Sequence, residues 1–359
     1  MFIRSLFTDN LLSLQLAKVL IIIHLFIILG TPPFKKIIKK TFQIALPLIL
    51  GGFILIWVYR DFDFSKVGHV LFHEMNYWWM LVSLVFGVFS HVFRGWRWKQ
   101  TLEPLDAYPK SSNCVNAIFI SYAANLVLPR VGEVSRCTIL SKYDGVSFSK
   151  SLGTVVTERI IDSIMVVAIT GTTLVLQLGI FKSFFAKTGT NLDSIGQIFL
   201  SPEFYIITLC VIGVCILLYK LMRLLSFFEK VKGIVLNVWE GILTLKHVKN
   251  MPLFILYTFL IWFCYFMEFY LTFFCFGFSS NLSFMAGLVM FAAGSVAVVV
   301  PTPNGAGPWH FAIISMMVLY GVNVTDAGIF ALIKHGIQTL LLILLGIYGL
   351  VALPFTNKN

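Results

Sequence analysis

The sequence predicts an all-α polytopic membrane protein with six or seven transmembrane helices and two inverted re-entrant helical hairpins. Hydrophobic residues make up 58% of the 359-residue chain and charged residues only 12%. A soluble protein of this length cannot bury so much apolar surface, so a membrane protein is the expected class. The apolar runs are continuous and do not alternate with polar residues, which excludes a transmembrane β-barrel.

Apolar segments of about 20 residues predict the spanning helices. The predicted spans are residues 41–59, 78–94, 153–179, 205–221, 251–277 and 327–353. A further apolar stretch at 11–30 is a seventh span, a signal-anchor or an upstream extension, and the sequence leaves these alternatives open. The predicted organisation is an N-terminal extension over 1–40, a membrane domain over 41–353 and a short cytoplasmic tail over 354–359.

The positive charges predict the orientation of the chain. The net charge is +11, and Lys and Arg concentrate in the cytoplasmic loops of membrane proteins, where anionic headgroups and not nucleic acid are their expected counterpart. Lysines precede the first predicted span, whereas the loop between the first two spans is balanced in charge. We therefore place Lys142 and Lys150 in the cytoplasm and Asn323 outside.

Two apolar segments are broken by proline and glycine and do not fit a single crossing. In residues 116–140 the break includes Pro129 and Gly132, and in the second segment it covers residues 301–308. Irregular backbone at membrane depth is tolerated only inside protein or beside water, so we interpret both segments as hairpins that re-enter from opposite faces. Breaks that meet near the midplane expose helix N-termini that bind anions. Two kinked spanning helices without a site are the alternative.

Charged residues are concentrated around the first break. Glu133 and Arg136 are three positions apart, as are Arg159 and Asp162, and Glu158 is four positions before Asp162, so each pair shares a helix face. This pattern predicts a vestibule that binds a phosphate headgroup, an ion-pair network that holds the hairpin against the helix at 153–179, or both. The candidate phosphate ligands are Arg130, Arg136 and Arg159.

Two further charges lie deep within predicted spans. Glu268 is about nine residues, or roughly 13 Å, from the outer end of its span, and Lys334 is about seven residues, or roughly 10 Å, from the same side. Intramembrane charges usually form pairs or line a pathway. We expect Glu268 to approach Lys334, His335 or His310 inside the protein, either as a structural pair or to receive a cationic headgroup or a coupling proton.

Other motifs limit the chemistry. The six cysteines form no CxxC or Cys/His cluster, so neither a metal site nor a disulfide framework is expected. Fingerprints of zinc proteases, serine hydrolases and nucleotide-binding proteins are absent from the sequence, and no cofactor is expected. In VFRGWRWKQ, the basic Arg94, Arg97 and Lys99 are interleaved with Trp96 and Trp98, a combination that we interpret as an interfacial anchor.

Three polar motifs resemble the lysylphosphatidylglycerol synthase transmembrane-region family, a flippase-like module of bacterial membrane proteins. They read NLVLPRVGEVSR, TERIIDS and PTPNGAGPWHF, and the resemblance covers residues 40–353. In the first two motifs the family positions are Asn125, Pro129, Gly132, Glu133, Arg136, Glu158, Arg159 and Asp162. The third keeps Pro301, Pro303, Gly305 and Gly307 but has Asn304 for a glycine and His310 for an acidic residue. Asparagine tolerates a positive φ, so the turn is expected to form.

The resemblance implies movement of a modified phospholipid or a polyprenyl-linked sugar across the bacterial cytoplasmic membrane. Its expected ligand is a membrane lipid with an anionic phosphate headgroup, and its expected protein partners are a second copy or a separate lipid-modifying enzyme. The soluble aminoacyl-transferase domain of the full-length synthases is not in this sequence, so the chain is not expected to synthesise the lipid. The alternatives are an intramembrane transferase, with Glu133 or Glu158 as the base, and a scaffold subunit. The candidate substrate-binding residues are Asn125, Arg130, Glu133, Arg136, Glu158, Arg159, Asp162, Glu268, Asn304, His310 and Lys334.

Overall fold

The computed structural model describes residues 32–179 and 248–358. All regular structure in these residues is helical. The helices are α1 (Pro32–Tyr59), α2 (Ser65–His69), α3 (Tyr77–Leu102), α4 (Ser111–Val127), α5 (Val131–Asp144), α6 (Phe148–Leu176), α7 (Met251–Tyr270), α8 (Phe284–Ala297), α9 (Pro308–Leu319) and α10 (Val324–Thr356). The chain divides into two compact units, 1–50 and 51–359, and the contacts below lie within the second unit.

Long apolar helices confirm the multi-pass membrane class. Those long and apolar enough to cross a bilayer cover Tyr77–Leu105, Phe148–Leu176, Met251–Cys275 and Val324–Thr356, and shorter apolar helices cover Ala45–Tyr59 and Phe284–Ala297. Five of the predicted spans coincide with these long helices or with α1. The predicted span at 205–221 and the apolar stretch at 11–30 lie outside the described residues. The total number of spans and the three-part domain division stay predictions.

The first helical hairpin consists of α4 and α5, which pack against each other. Arg130, with a left-handed φ of 68°, forms the turn between them. The Gly132 N–H donates a hydrogen bond to Asn125 Oδ1 at 2.8 Å, which joins the start of α5 to the end of α4. Glycine is required at 132 because a Cβ atom there would overlap the carbonyl oxygen of Ser121 and lie 2.6 Å from its Oγ. The turn predicted at this motif is confirmed.

The second helical hairpin consists of α8 and α9, which also pack against each other. A 3-10 turn at Pro303–Gly305 lies between them. The backbone φ angles are 49° at Asn304, 72° at Gly305 and 93° at Gly307, so the predicted positive φ of Asn304 is confirmed. Pro308 then begins α9, at a position where a helix does not need the N–H that proline lacks.

The two hairpins are in contact. α4 of the first hairpin touches the Pro303–Gly305 turn of the second, and α6 packs against both α5 and α8. α3 lies against α4, α6 and α7. α10 approaches α4 closely, since a Cβ atom on Gly346 would overlap that of Ala123, and small residues commonly permit such approach in membranes. The hairpin geometry is observed, whereas re-entry from opposite membrane faces stays a prediction.

Candidate functional site

Seven charged side chains meet where the first hairpin packs against α3 and α6. We call them the arginine cluster: Arg94, Arg97, Glu133, Arg136, Glu158, Arg159 and Asp162. All except Glu133 and Arg159 are buried. Among the buried members, three guanidinium groups face two carboxylates, which leaves one positive charge. Burying a charge is costly unless it is paired, so this excess indicates a place for an anion.

Asp162 joins α6 to α3. Its two carboxylate oxygens accept hydrogen bonds from Arg94 Nη1 at 2.6 Å and from Arg97 Nη2 at 2.8 Å. Arg159, one turn earlier on α6, approaches the same carboxylate at 3.9 Å. The Nε of Arg94 donates to the hydroxyl of Tyr265 at 3.2 Å, which extends the network to α7. Charge-assisted bonds of this kind are stronger than neutral ones, so Asp162 fixes the relative position of three helices.

Glu158 holds the first hairpin in the same way. One of its oxygens accepts a hydrogen bond from Arg136 Nη1 at 2.6 Å, and the other lies 3.7 Å from Arg97 Nη2. The Arg136 guanidinium also lies over the ring of Trp98, 4.6 Å from its centre. Trp98 is itself fixed, because its indole N–H donates to Thr154 Oγ1 at 2.9 Å. Arg136 is therefore rigidly oriented between α3 and α6.

The cluster has unused hydrogen-bonding capacity. Nε and Nη2 of Arg136 and Nε of Arg97 are buried and have no hydrogen-bond partner within the described residues. The same holds for Oε2 of Glu133 and Oε1 of Glu158. Buried polar atoms without partners are rare in native proteins and call for an explanation. An anionic ligand would supply partners for the unpaired guanidinium nitrogens.

The cluster opens toward its surroundings at one side. The Arg159 side chain is 43% exposed and that of Glu133 is 18% exposed, and the two approach each other at 3.6 Å. A partly exposed pair at this distance contributes about 0–1 kcal/mol, far less than the buried bonds behind it. The cluster therefore has a rigid, buried interior and one exposed opening, which the weak Arg159–Glu133 pair closes. We call this opening the mouth.

The structure tests several predictions about these residues. An ion-pair network between the hairpin and α6 is confirmed, because Glu133 and Arg136 each pair with a residue of α6. Arg130 is exposed and has no ion-pair partner in the described part of the chain, so it lies outside the cluster. The side-chain oxygen of Asn125 is engaged by Gly132.

Arg94 and Arg97 were missed by sequence reasoning. Their interpretation as interfacial anchors is wrong, because both are buried and bind Asp162, and Trp98 is buried as well. The sequence feature that could have revealed their common role is their three-residue spacing within a helix that continues to Leu102. This spacing places both arginines on one face. Of this segment, Trp96 is exposed, as an anchor would be.

A second charged group lies between α7 and α10. The Glu268 carboxylate and Lys334 Nζ are 3.5 Å apart, and both side chains are buried. Lys334 also donates to Gln338 and lies 5.4 Å from the centre of the Trp309 ring. The predicted approach of Glu268 to Lys334 is confirmed. A buried pair in apolar surroundings satisfies both charges.

The third motif uses its polar atoms to fasten the second break. His310 Nδ1 accepts a hydrogen bond from the Gly307 N–H at 3.4 Å, and the His310 and His335 rings are 4.6 Å apart. His335 Nε2 lies 3.1 Å from the Asn304 carbonyl oxygen. These contacts join the break to α10, next to Lys334. Residues 32–179 and 248–358 contain no group of three or more His, Cys, Asp or Glu that could hold a metal.

Comparisons with known proteins place this sequence among membrane proteins. The profile described as the lysylphosphatidylglycerol synthase TM region matches residues 44–346. A UPF0104 membrane protein of Methanocaldococcus jannaschii is 26% identical over 220 residues, covering 58% of this chain and 83% of that protein. No solved structure shows a significant match. Because the profile spans both hairpins and all the helices of the arginine cluster, the chain belongs to the lysylphosphatidylglycerol synthase transmembrane-region family.

Proposed function

We propose that this protein binds a membrane lipid with an anionic phosphate headgroup at the arginine cluster and moves that headgroup across the bacterial cytoplasmic membrane. The observation that supports this function most directly is the excess of guanidinium charge in a buried cluster, with donors unpaired in the described residues. Membership of a membrane-domain family whose name refers to a lipid synthase is consistent with a lipid ligand.

Arg136 has the geometry to bind phosphate. Its Nη1 is engaged by Glu158, while its unpaired Nε and Nη2 lie on one edge of the planar guanidinium group. Two parallel N–H donors on one edge match two oxygens of a phosphate group, a geometry that lysine does not offer. Arg159, at the mouth, would meet the headgroup first, and loss of its weak contact with Glu133 would admit the phosphate to Arg136.

The hairpins would provide the route across the membrane. If they re-enter from opposite faces, the contact between α4 and the Pro303–Gly305 turn lies near the midplane. The arginine cluster would then serve the cytoplasmic half, and Glu268, Lys334 and His310 the external half. A second copy or a separate lipid-modifying enzyme would be the protein partner.

Reconstitution tests this function. Full-length protein in liposomes should accelerate the transfer of a fluorescent phospholipid between leaflets, measured by reduction of the exposed label with dithionite. Arg159→Gln should slow transfer roughly tenfold, because a charged hydrogen bond contributes about 1.5–3 kcal/mol. The matched control is Arg60→Gln, which removes an exposed arginine outside the cluster.

Three outcomes would contradict the function. The first is transfer no faster than in protein-free liposomes, and the second is transfer slowed equally by Arg159→Gln and Arg60→Gln. The third is conversion of the labelled lipid into a new covalent species, detected by mass spectrometry, which would favour the intramembrane transferase.

A further inference from the structure

A polar cavity of about 270 Å³ lies apart from the arginine cluster, where α3 ends beside α4 and α7. It is lined by Trp96, Lys99, Gln100, Glu103, Ser111 and Tyr257. Small-molecule sites commonly measure roughly 300–1,000 Å³, so this cavity accommodates a headgroup-sized group and not a complete lipid.

The cavity presents a cation and an anion that do not neutralise each other. Lys99 donates a hydrogen bond to Ser111 Oγ at 3.1 Å, and neither Lys99 nor Glu103 has an ion-pair partner among the described residues. Lysine four positions before glutamate is the less favourable order for a pair within a helix. Both charges are therefore available to a ligand that contains one group of each sign.

Gln100 adds an unpaired acceptor. Its Oε1 atom is buried and has no hydrogen-bond partner in the part of the chain that the structure describes. A buried acceptor without a donor costs about 1–3 kcal/mol, so a ligand N–H group at this position would be stabilising. The cavity thus combines two acceptor groups, Gln100 and Glu103, with the single cation Lys99.

Aromatic rings continue from the cavity along the outer surface of α3 and α7. The Trp96 and Tyr257 ring centres are 5.8 Å apart. Five phenylalanine rings follow, and we call them together the aromatic strip: Phe86, Phe89, Phe93, Phe259 and Phe263. Phe89, Phe259 and Phe263 are exposed, on helices long and apolar enough to cross a membrane. Tryptophan and tyrosine at a helix end mark the membrane interface, and apolar rings beyond them face acyl chains.

We infer that this cavity binds the headgroup of a zwitterionic amino-phospholipid, with its acyl chains on the aromatic strip. The phosphate binds Lys99 and Ser111. The ammonium binds Glu103 and the Gln100 carbonyl oxygen, beside the Trp96 and Tyr257 rings, which attract cations through their π faces. An anionic lipid without an amine would leave Glu103 and Gln100 without partners, so the cavity selects for the amine. This site does not depend on transport at the arginine cluster.

Lipid retention tests the inference. Full-length protein reconstituted in equal amounts of phosphatidylethanolamine and phosphatidylglycerol is re-extracted in mild detergent, and the retained lipids are measured by mass spectrometry. Phosphatidylethanolamine should be enriched, and Glu103→Gln should reduce the enrichment roughly threefold, as for the loss of a partly exposed ion pair. The matched control is Asp106→Asn. Asp106 is an exposed carboxylate in a left-handed backbone conformation, which asparagine also tolerates.

A second measurement separates lipid binding from misfolding. Phosphatidylethanolamine should raise the Tm of purified wild-type protein and of Asp106→Asn, but not of Glu103→Gln. Soluble phosphoethanolamine should leave the Tm unchanged, because it cannot use the aromatic strip. The inference is overturned by equal retention of both lipids in wild type, by equal behaviour of Glu103→Gln and Asp106→Asn, or by an equal Tm increase with soluble phosphoethanolamine.

Discussion

Gly132→Ala should disrupt the first hairpin. Gly132 lies in the first turn of α5, where a Cβ atom would overlap the Ser121 carbonyl oxygen and lie 2.8 Å from Asn125 Nδ2. The obstacle is partly α4 backbone, which cannot rotate away as a flexible side chain can. The two helices would therefore have to separate, and the hydrogen bond from the Gly132 N–H to Asn125 would be lost.

The expected loss of stability follows from these two contacts. Overpacking of a tight contact costs about 1–3 kcal/mol, and loss of one hydrogen bond costs about 1 kcal/mol. The sum is roughly 2–4 kcal/mol, a large part of the 5–15 kcal/mol typical of folded proteins. Gly153→Ala is the matched control, because no atom lies within 4 Å of a Cβ at this position on α6. It should stabilise the protein by about 0.5–1 kcal/mol.

Thermal unfolding in detergent measures the difference. The described free cysteines, Cys114, Cys137, Cys264 and Cys275, are all buried. With Cys210 and Cys215, which lie outside the described residues, replaced by serine, a thiol-reactive dye reports unfolding. At about 2 °C per kcal/mol, the Tm of Gly132→Ala should lie roughly 5–10 °C below that of Gly153→Ala. A Tm for Gly132→Ala equal to or above that of Gly153→Ala would refute the close approach of α4 and α5 at this glycine.

Three other predictions concern the charged groups and the topology. Glu158→Gln should destabilise the protein by about 3–5 kcal/mol, because it leaves a buried arginine without its carboxylate; an unchanged Tm would contradict this. Lys334→Met should lower the Tm, and adding Glu268→Gln should recover most of the loss, since neither charge of this buried pair then remains. In cells expressing protein without native cysteines, a cysteine at Asn323 should react with an impermeant reagent, whereas reaction at Lys142 would exclude the first re-entrant hairpin.

Local chemistry explains what the sequence determined by itself. The length of the continuous apolar segments determined the membrane-protein class and the positions of the described spans, because burial in lipid depends on a continuous stretch of the chain. The two hairpin turns were also predictable, since the limits that proline, glycine and asparagine place on φ belong to single residues. Asn304, with its φ of 49°, behaves as its residue type requires. The pairing of Glu268 with Lys334 was predictable from the cost of an isolated charge within an apolar span.

Only the tertiary structure decided which charges share a site. Spacing placed Glu133 and Arg136 on one helix face, but it did not show that Glu133 lies beside Arg159 and Arg136 beside Glu158. Arg94 and Arg97 are buried because α3 turns them toward Asp162, while Trp96 and Lys99 of the same helix line a separate cavity. These outcomes depend on how each helix is rotated about its axis and on what packs beside it. Rotation and packing are set by the other helices, which the residues of one segment do not encode.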